Sequence, residues 1–471
     1  MSTDTICALA TAPGGALGII RISGENAISI TSRIFSPIGS PKNLHKLATA
    51  PSHTLHFGRI TDTEGNTIDE VLVSLFRTPH SYTGEDCVEI SCHGSRYILN
   101  KVLELLIQHG CRQAHPGEFT QRAYLNGKFD LSQAEAVADL IASTNRATHQ
   151  LAMAQLRGNF SSELSLLREQ LLKLTSLLEL ELDFSDHEDL EFADRQELLE
   201  LAQRISRRIT TLAHSFETGQ AIKQGIPVAI IGKTNAGKST LLNCLLKDER
   251  AIVSDIHGTT RDAIEDTIDI QGITFRLIDT AGIRQTDDTI EQIGIQRTYQ
   301  AIKKARIVVW LIDEWPSDAE ISDLQAPLKD KHLIIAFNKT DLPEIRERLE
   351  LNGDSQPNHY PSPHLTHHLV TISAKQGENI EALEEAIYSA ADIPSLADTD
   401  IIVTNARHYE ALLHAQESIT RVIDGLASQL SGDLLAEDLR LTIEQLAEIT
   451  GGQITPQETL SNIFSHFCVG K

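Results

Sequence analysis

The amino-acid sequence predicts a multidomain chain of α/β and α class: an N-terminal α+β domain, a helical domain split in two, and an α/β domain inserted between its parts. Three observations carry that prediction. Short β-rich stretches punctuated by Gly and Pro fill the first 120 or so residues. Leu164, Leu167, Leu171, Leu174 and Leu178 recur at alternating steps of three and four, the stripe of one long helix. A glycine-rich turn from Gly232 to Ser239 then opens a run of apolar, strand-like segments that gives way to a second helical stretch.

Bulk properties fit this division. A chain of 471 residues exceeds one hydrophobic core, so about three domains are expected. With 41% hydrophobic and 23% charged residues it reads as an ordinary globular protein. No apolar run approaches the roughly 18 residues of a membrane span, and Met1-Ser2-Thr3-Asp4 lacks the basic start of a signal peptide. A cytoplasmic location without membrane contact is therefore expected. Six cysteines without a Cys-x-x-Cys pair are predicted to be reduced and mostly buried, and Cys92-His93 has no second cluster with which to hold a metal. Net charge of −24 argues against a broad nucleic-acid surface, so an RNA partner must meet a local basic patch or a second protein. Part of the excess is local: Asp183, Asp186, Glu188, Asp189, Glu191 and Asp194 read as a solvated helix face or loop.

Taken in order, residues 1–120 form the first domain, with strands at 18–22, 56–60, 71–76 and 87–91 and a helix at 96–109. Residues 121–220 are the first helical part. Residues 221–390 return to α/β, with buried-type strands at 227–231, 307–312, 333–337 and 369–372 and a hairpin-like pair, 265–270 and 274–278, turning at Gln271-Gly272. One antiparallel strand beside a parallel sheet is the expected arrangement. Residues 391–471 are the second helical part, with helices predicted at 401–425 and 434–450.

The inserted domain carries the chemistry. Gly232-x4-Gly237-Lys238-Ser239 follows an apolar strand and opens a helix, the context a phosphate loop requires. Its backbone N–H groups and the helix N-terminus suit phosphates. Asn235, Ala236, Gly237, Lys238, Ser239 and Thr240 are the expected contacts, with Lys238 on the β- and γ-phosphates and the Ser239 hydroxyl on Mg²⁺. Thr260, in Gly258-Thr259-Thr260, is placed as a second Mg²⁺ ligand; Asp279 of Asp279-Thr280-Ala281-Gly282 holds the ion through water, and the Gly282 N–H faces the γ-phosphate. Asn338-Lys339-Thr340-Asp341 selects the base. The Asp341 carboxylate accepts from guanine N1–H and the 2-amino group, and adenine would leave it unpaired. Ser373-Ala374-Lys375 completes the pocket, with the Ala374 N–H expected on guanine O6. Together these predict a Ras-like G domain of the TRAFAC class that binds GTP with Mg²⁺.

Ile283 stands where such switches carry a water-positioning Gln. Two routes are open. An arginine finger could come from Arg261, Arg284 or another subunit. Alternatively an alkali cation could sit by the phosphates, held by Asn235 and by carbonyls of Ser254-Asp255-Ile256-His257. Glu291, in the second switch region, could then hold a bridging water. An Asn and a Glu in loops also serve as ordinary capping residues.

Motifs over nearly the whole chain resemble one family, the bacterial tRNA uridine-5-carboxymethylaminomethyl modification GTPases. They are Asp4-Thr5-Ile6, Gly18-Ile19-Ile20-Arg21-Ile22-Ser23-Gly24, Ser81-Tyr82-Thr83-Gly84-Glu85-Asp86, Pro116-Gly117-Glu118-Phe119-Thr120, Arg122-Ala123-Tyr124-Leu125-Asn126-Gly127-Lys128, Gln133-Ala134-Glu135-Ala136 and the tail Cys468-Val469-Gly470-Lys471. The resemblance implies an N-terminal folate-binding domain, a potassium-dependent G domain and a homodimer joined through the N-terminal domains. It further implies a heterotetramer with the flavoprotein MnmG (GidA), which supplies FAD. Together the two proteins modify C5 of the tRNA wobble uridine with a tetrahydrofolate derivative, 5-formyl or methylene, as one-carbon donor. Carried over by motif, Asn235, Ser254, Ile256 and Thr259 ligate K⁺, and Glu291 is the catalytic residue that orients the attacking water. Arg21, Glu85, Lys128 and Lys471 contact folate. Thr234 in place of a frequent Pro, and Gly14-Gly15-Ala16 in place of a basic Gly-rich run, depart from the pattern. One-carbon chemistry is assigned to folate and flavin rather than to Cys468. A ribosome-assembly-type GTPase switch with a vestigial folate-like domain is the alternative; the N-terminal motifs and the tail weigh against it, and the nucleotide motifs weigh against a stand-alone folate enzyme.

Overall fold

A computed structural model of the chain describes residues 4–38, 47–183, 195–247, 266–278, 291–352, 368–393, 401–452, 460, 463–465, 467 and 470. The chain divides into two compact units: Met1–Ala142, Ala152–Thr211 and Arg407–Lys471 form one, and Ser143–Leu151 with Leu212–Ala406 form the other.

The first unit opens with β1 (Thr5–Leu9), β2 (Leu17–Ser23), α1 (Ala27–Ile34), β3 (Phe35–Pro37), β4 (Thr54–Thr61), β5 (Thr67–Phe76), β6 (Cys87–His93), α2 (Arg96–Gln108) and β7 (Cys111–Gln113). The seven strands lie in the order β3-β4-β5-β6-β2-β1-β7, and only β1 and β7 run parallel. Alternation decides the faces: Ile20 and Ile22, Val71 and Val73, and Val88 and Ile90 are buried beneath α1 and α2. The opposite face keeps Leu55, Phe57 and Leu72 exposed, with Phe57 directly across from Leu72. The motif-based reading finds β2, β4, β5, β6 and α2 but misses β1, β3, α1 and β7. β1 and β7 are at most five residues long, too short for a period to appear.

Five helices follow: α3 (Glu118–Leu125), α4 (Leu131–Ala142), α5 (Arg146–Leu156), α6 (Asn159–Asp183) and α7 (Arg195–Gln224). All five stripe leucines of α6 are at most 3% exposed. Each contributes about 1.5–3 kcal/mol of burial.

The second unit holds β8 (Ile226–Ile231), α8 (Lys238–Lys247), β9 (Asp266–Ile270), β10 (Ile273–Ile278), α9 (Glu291–Lys304), β11 (Ile307–Ile312), α10 (Asp318–Gln325), β12 (His332–Phe337), α11 (Pro343–Asn352), β13 (His368–Thr371) and α12 (Ile380–Ala390). Its six-stranded sheet runs β13-β12-β11-β8-β10-β9, parallel except for β9. Every residue of β11 is buried, as a central strand covered on both faces must be. The start of α5 belongs here too: Ala147 N–H donates to the Gly272 carbonyl (3.0 Å), and Asn145 Nδ2 donates to Thr274 Oγ1 (2.7 Å).

The last helices are α13 (Ala406–Ala427) and α14 (Gly432–Thr450). A helix from residue 401 is a misreading, since α13 begins at Ala406. Ile401 to Thr404 are all β-branched, and this peptide lies beside α7, where the Val403 N–H donates to Ser215 Oγ (3.0 Å) and the Thr404 carbonyl accepts from Gln220 Nε2 (2.8 Å). Within the first unit the helices before and after the insertion form one bundle, α6 packing on α14. Buried Glu135 of α4 bonds His408 (2.6 Å) and Arg407 (3.0 Å) of α13, and Arg407 also donates to the Glu448 and Ile449 carbonyls that end α14. Burial pushes the Glu135 carboxyl up, but His408 and Arg407 overcome it and hold the group below its ordinary value. Cys7, Cys87, Cys92 and Cys111 are buried free thiols. Among the described residues no helix is long and apolar enough to cross a membrane.

Candidate functional site

The phosphate loop joins β8 to α8, where β8 ends among buried neighbours and the backbone must turn sharply. A Cβ on Gly237 (φ +101°) would lie 2.3 Å from Asn338 Nδ2, so only glycine fits. Asn235 is exposed and left-handed (φ 66°), a conformation Asn tolerates better than most residues. Lys238 Nζ donates to the Gly232 and Lys233 carbonyls, both at 2.7 Å, and burial pushes its ammonium below the ordinary lysine value. Lys233 turns outward to Glu314 (2.8 Å) and Glu320 (3.1 Å).

The residues expected to select the base lie at the ends of β12 and β13 and are wired to that loop. Asn338 is 2% exposed; its Nδ2 donates to the Ala236 carbonyl (2.8 Å), and its Oδ1 accepts from the Ala374 N–H (3.0 Å). One amide therefore ties the phosphate loop to the turn that follows β13. The Ala374 N–H, expected on guanine O6, has this side-chain acceptor in the structure. Ser373 Oγ donates to Asp341 Oδ1 (2.8 Å). Lys339, left-handed at φ 65°, bonds Asp313 Oδ2 (2.6 Å) rather than Asp341. Asp313, which ends the β11 connection, has no place among the expected residues, because its role appears only once β11 and β12 are adjacent. Ser239 and Thr240 begin α8, and Lys375 follows Ala374 on the same turn.

Thus Asn235, Ala236, Gly237, Lys238, Asn338, Asp341, Ser373 and Ala374 converge. Ser254, Asp255, Ile256, His257, Gly258, Thr259 and Thr260 lie outside the described residues, as do Asp279, Thr280, Ala281, Gly282 and Ile283. Glu291 opens α9, but its side chain is also outside them. Of the expected cation ligands only Ser239 for Mg²⁺ and Asn235 for K⁺ are described, and among the described residues no His, Cys, Asp and Glu cluster suits a metal. Both donors are hard oxygens at the loop mouth, chemistry that suits these ions.

The N-terminal site is a carboxylate–guanidinium network. Glu85 accepts from Ser23 Oγ (2.7 Å) and, at both oxygens, from Arg122 Nη1 (3.2 Å). Buried Arg122 also bonds the Asp4 carboxylate (2.9 Å) and Glu118 (3.0 Å), and Arg112 bridges the same two acids. Burial alone would raise the Glu118 carboxyl; Arg112, the His115 N–H and Arg122 bring it below its ordinary range. Glu85 lines a cavity of about 370 Å³ together with Asp4, Glu25, Asp86 and Asn126. Lys128 bonds the Pro79 carbonyl (3.0 Å) and runs its stem beside Gly84. Arg21 lies apart from that lining. It pairs with Glu89 (2.8 Å), stacks over Tyr82 with 5.3 Å to the ring centroid, and donates to the Gly470 carbonyl (3.3 Å). Lys471, the next residue, is outside the described set. Arg122 and Glu118 sit inside quoted motifs, yet no local pattern signals partners as far apart as Asp4.

A family model described as the MnmE helical domain matches residues 131–468, and one described as the GTP-binding protein TrmE N-terminus matches residues 5–128. The chain is similar to the tRNA modification GTPase MnmE of Bacteroides thetaiotaomicron, 56% identical over 477 residues that span 100% of each protein. It is likewise similar to the protein of that name from Phocaeicola vulgatus, 55% identical and covering 100% of this chain and 99% of the relative. Among solved structures, the G domain of the T. maritima FeoB iron transporter is 24% identical over 36% of this chain and 99% of its own, with a TM-score of 0.25.

Proposed function

The chain belongs to the MnmE family of tRNA modification GTPases, and on that premise we propose that it is a potassium-dependent GTPase driving carboxymethylaminomethyl-type modification at C5 of the tRNA wobble uridine. It does so with a flavoprotein partner that carries FAD, and takes its one-carbon unit from a tetrahydrofolate derivative. The bridge made by Asn338 between Ala236 and Ala374 carries the nucleotide-binding part of this reading, because it ties the phosphate loop to the expected base pocket. Lys238 then orients the β- and γ-phosphates, Ser239 ligates Mg²⁺, and Asp341, oriented by Ser373, accepts from the guanine ring. A potassium ion beside Asn235 supplies the positive charge that an arginine finger supplies elsewhere. Glu291 holds the attacking water through a second water.

At the N-terminal site, Glu85 suits the amino-bearing pterin ring, and Arg21, Lys128 and Lys471 suit the folate carboxylates. The bond from Arg21 to Gly470 supports bringing the tail to that ligand. The exposed Leu55, Phe57 and Leu72 on the open sheet face support a homodimer formed through this domain.

GTP turnover measured in K⁺ and in Na⁺ tests the motor: activity in K⁺ alone is expected, and equal rates would return the charge to an arginine finger. Nucleoside mass spectrometry of tRNA from a deletion strain tests the pathway, and normal wobble-uridine modification there would favour an assembly switch instead.

A further inference from the structure

We propose that the end of the inserted unit's sheet formed by the N-terminal ends of β11 and β12 docks the phosphate backbone of tRNA. This rests on the tRNA-modification reading for its partner and on separate observations for its place.

Two four-residue segments, Lys303-Lys304-Ala305-Arg306 and Lys329-Asp330-Lys331-His332, hold five cations and one carboxylate. Sheet register brings them together. Ile307 pairs with His332, the His332 N–H donates to the Arg306 carbonyl (3.1 Å), and Lys331 Nζ donates to the Lys303 carbonyl (3.2 Å). Lys303, Lys304 and Lys329 are exposed. Among the described residues none of the three forms an ion pair, whereas Lys233 and Lys339, beyond the C-terminal ends of the same sheet, are paired to Glu314 and Asp313.

His332 is held below the ordinary histidine value, first by burial and then by Arg306, against the opposing pull of Asp392. Helix polarity does not account for the cluster. It explains lysines in the last turn of α9, but Lys329, Lys331 and Arg306 lie outside any helix. In a chain of net charge −24, a polyanion approaches only where such a local excess outweighs long-range repulsion. Flexible lysine heads suit phosphates as point charges. The phosphate loop and Asn338–Asp341 lie past the opposite ends of the sheet's strands, so RNA and GTP would not compete for this surface.

The test uses the full-length chain and a tRNA transcript, with affinity followed across a salt series. The triple variant Lys303→Gln/Lys304→Gln/Lys329→Gln is expected to bind tRNA about 10- to 100-fold more weakly near 0.1 M salt. Its slope of log affinity against log salt should be shallower by about two to three. GTP turnover should be unchanged. A matched variant on α6 and α7, Arg168→Gln/Arg204→Gln/Arg207→Gln, should keep wild-type affinity and slope. The proposal is overturned by an unchanged slope in the first variant, by a loss confined to the second, or by a wild-type chain that binds no tRNA. Retained tRNA binding with lost association to the flavoprotein would likewise overturn it, making the surface a protein dock.

Discussion

Asp341 in the nucleotide unit and Glu85 in the N-terminal sheet unit are each held by a serine of 0% exposure, yet their charges are handled in opposite ways. Ser373 donates to Asp341 at 2.8 Å and Ser23 to Glu85 at 2.7 Å. Glu85 is then met at both oxygens by Arg122. Among the described residues no cation pairs with Asp341, and its neighbour Lys339 is turned to Asp313. On the proposed reading, Asp341 is thereby left to accept from guanine N1–H and the 2-amino group, and a wrong base would leave its charge unpaired. Glu85 has its charge answered before any ligand arrives.

The sharpest way to break this contrast is Arg122→Ala. It leaves half-buried Glu85 without its guanidinium and buried Glu118 with Arg112 alone, and losing one partner of a buried pair costs about 3–5 kcal/mol. Hydrogen exchange in β1 and β6 should rise accordingly, while GTP affinity in the other unit stays at the wild-type value. A fall in GTP affinity of similar size would mean that the two sites are not built independently.

Asp341→Asn comes next. The variant removes charge-assisted bonds worth about 1.5–3 kcal/mol each and sets an amide N–H₂ against guanine donors. GTP should bind roughly 100- to 1000-fold more weakly. Xanthosine triphosphate, which offers a carbonyl where guanine has its amino group, should gain affinity. Calorimetry with both nucleotides decides it, and an unchanged preference for GTP would remove Asp341 from base selection.

The same contrast governs what could be read from the sequence. The expected nucleotide site is made of short contiguous motifs, so Asn235 to Thr240 and Asn338 to Asp341 can be singled out from sequence alone. What stayed hidden there is side-chain wiring across strands, such as Asn338 to Ala236 and Lys339 to Asp313, because adjacency in a parallel sheet follows crossovers rather than chain order. The N-terminal site is the reverse case. Glu85 was legible from its motif, but Arg122, Glu118 and Asp4 gain their meaning only when β1, α3 and the loop before β6 are brought together. Likewise the stripe of α6 is plain from its period, whereas at 401–404 the apolar pattern, taken without the β-branching that disfavours a helix there, misleads.

A smaller effect isolates the hydroxyl at the nucleotide site. Ser373→Ala deletes the described donor that aims Asp341, a bond to a charged acceptor, and should cost about 1.5 kcal/mol, or roughly tenfold in GTP affinity. Titration with GTP reads this directly, and a change below about twofold would show that the backbone alone aims the carboxylate.

Ser23→Ala is the matching change in the N-terminal unit and should have the smallest effect. The deleted hydroxyl also bonds Thr83 (2.7 Å), so the new alanine leaves Thr83 Oγ1 with its contacts to Cys87 and to the Glu85 N–H. Glu85 itself remains fixed by Arg122, whose two contacts restrict the carboxylate to one orientation. Tetrahydrofolate affinity, read by calorimetry, should therefore fall by only about two- to fourfold, less than the tenfold expected for Ser373→Ala. If wild type binds no folate, the ligand assignment fails and the contrast in charge still stands. If folate binds and Ser23→Ala loses as much as Ser373→Ala does for GTP, Arg122 does not orient Glu85, and the two carboxylates are held by the same device after all.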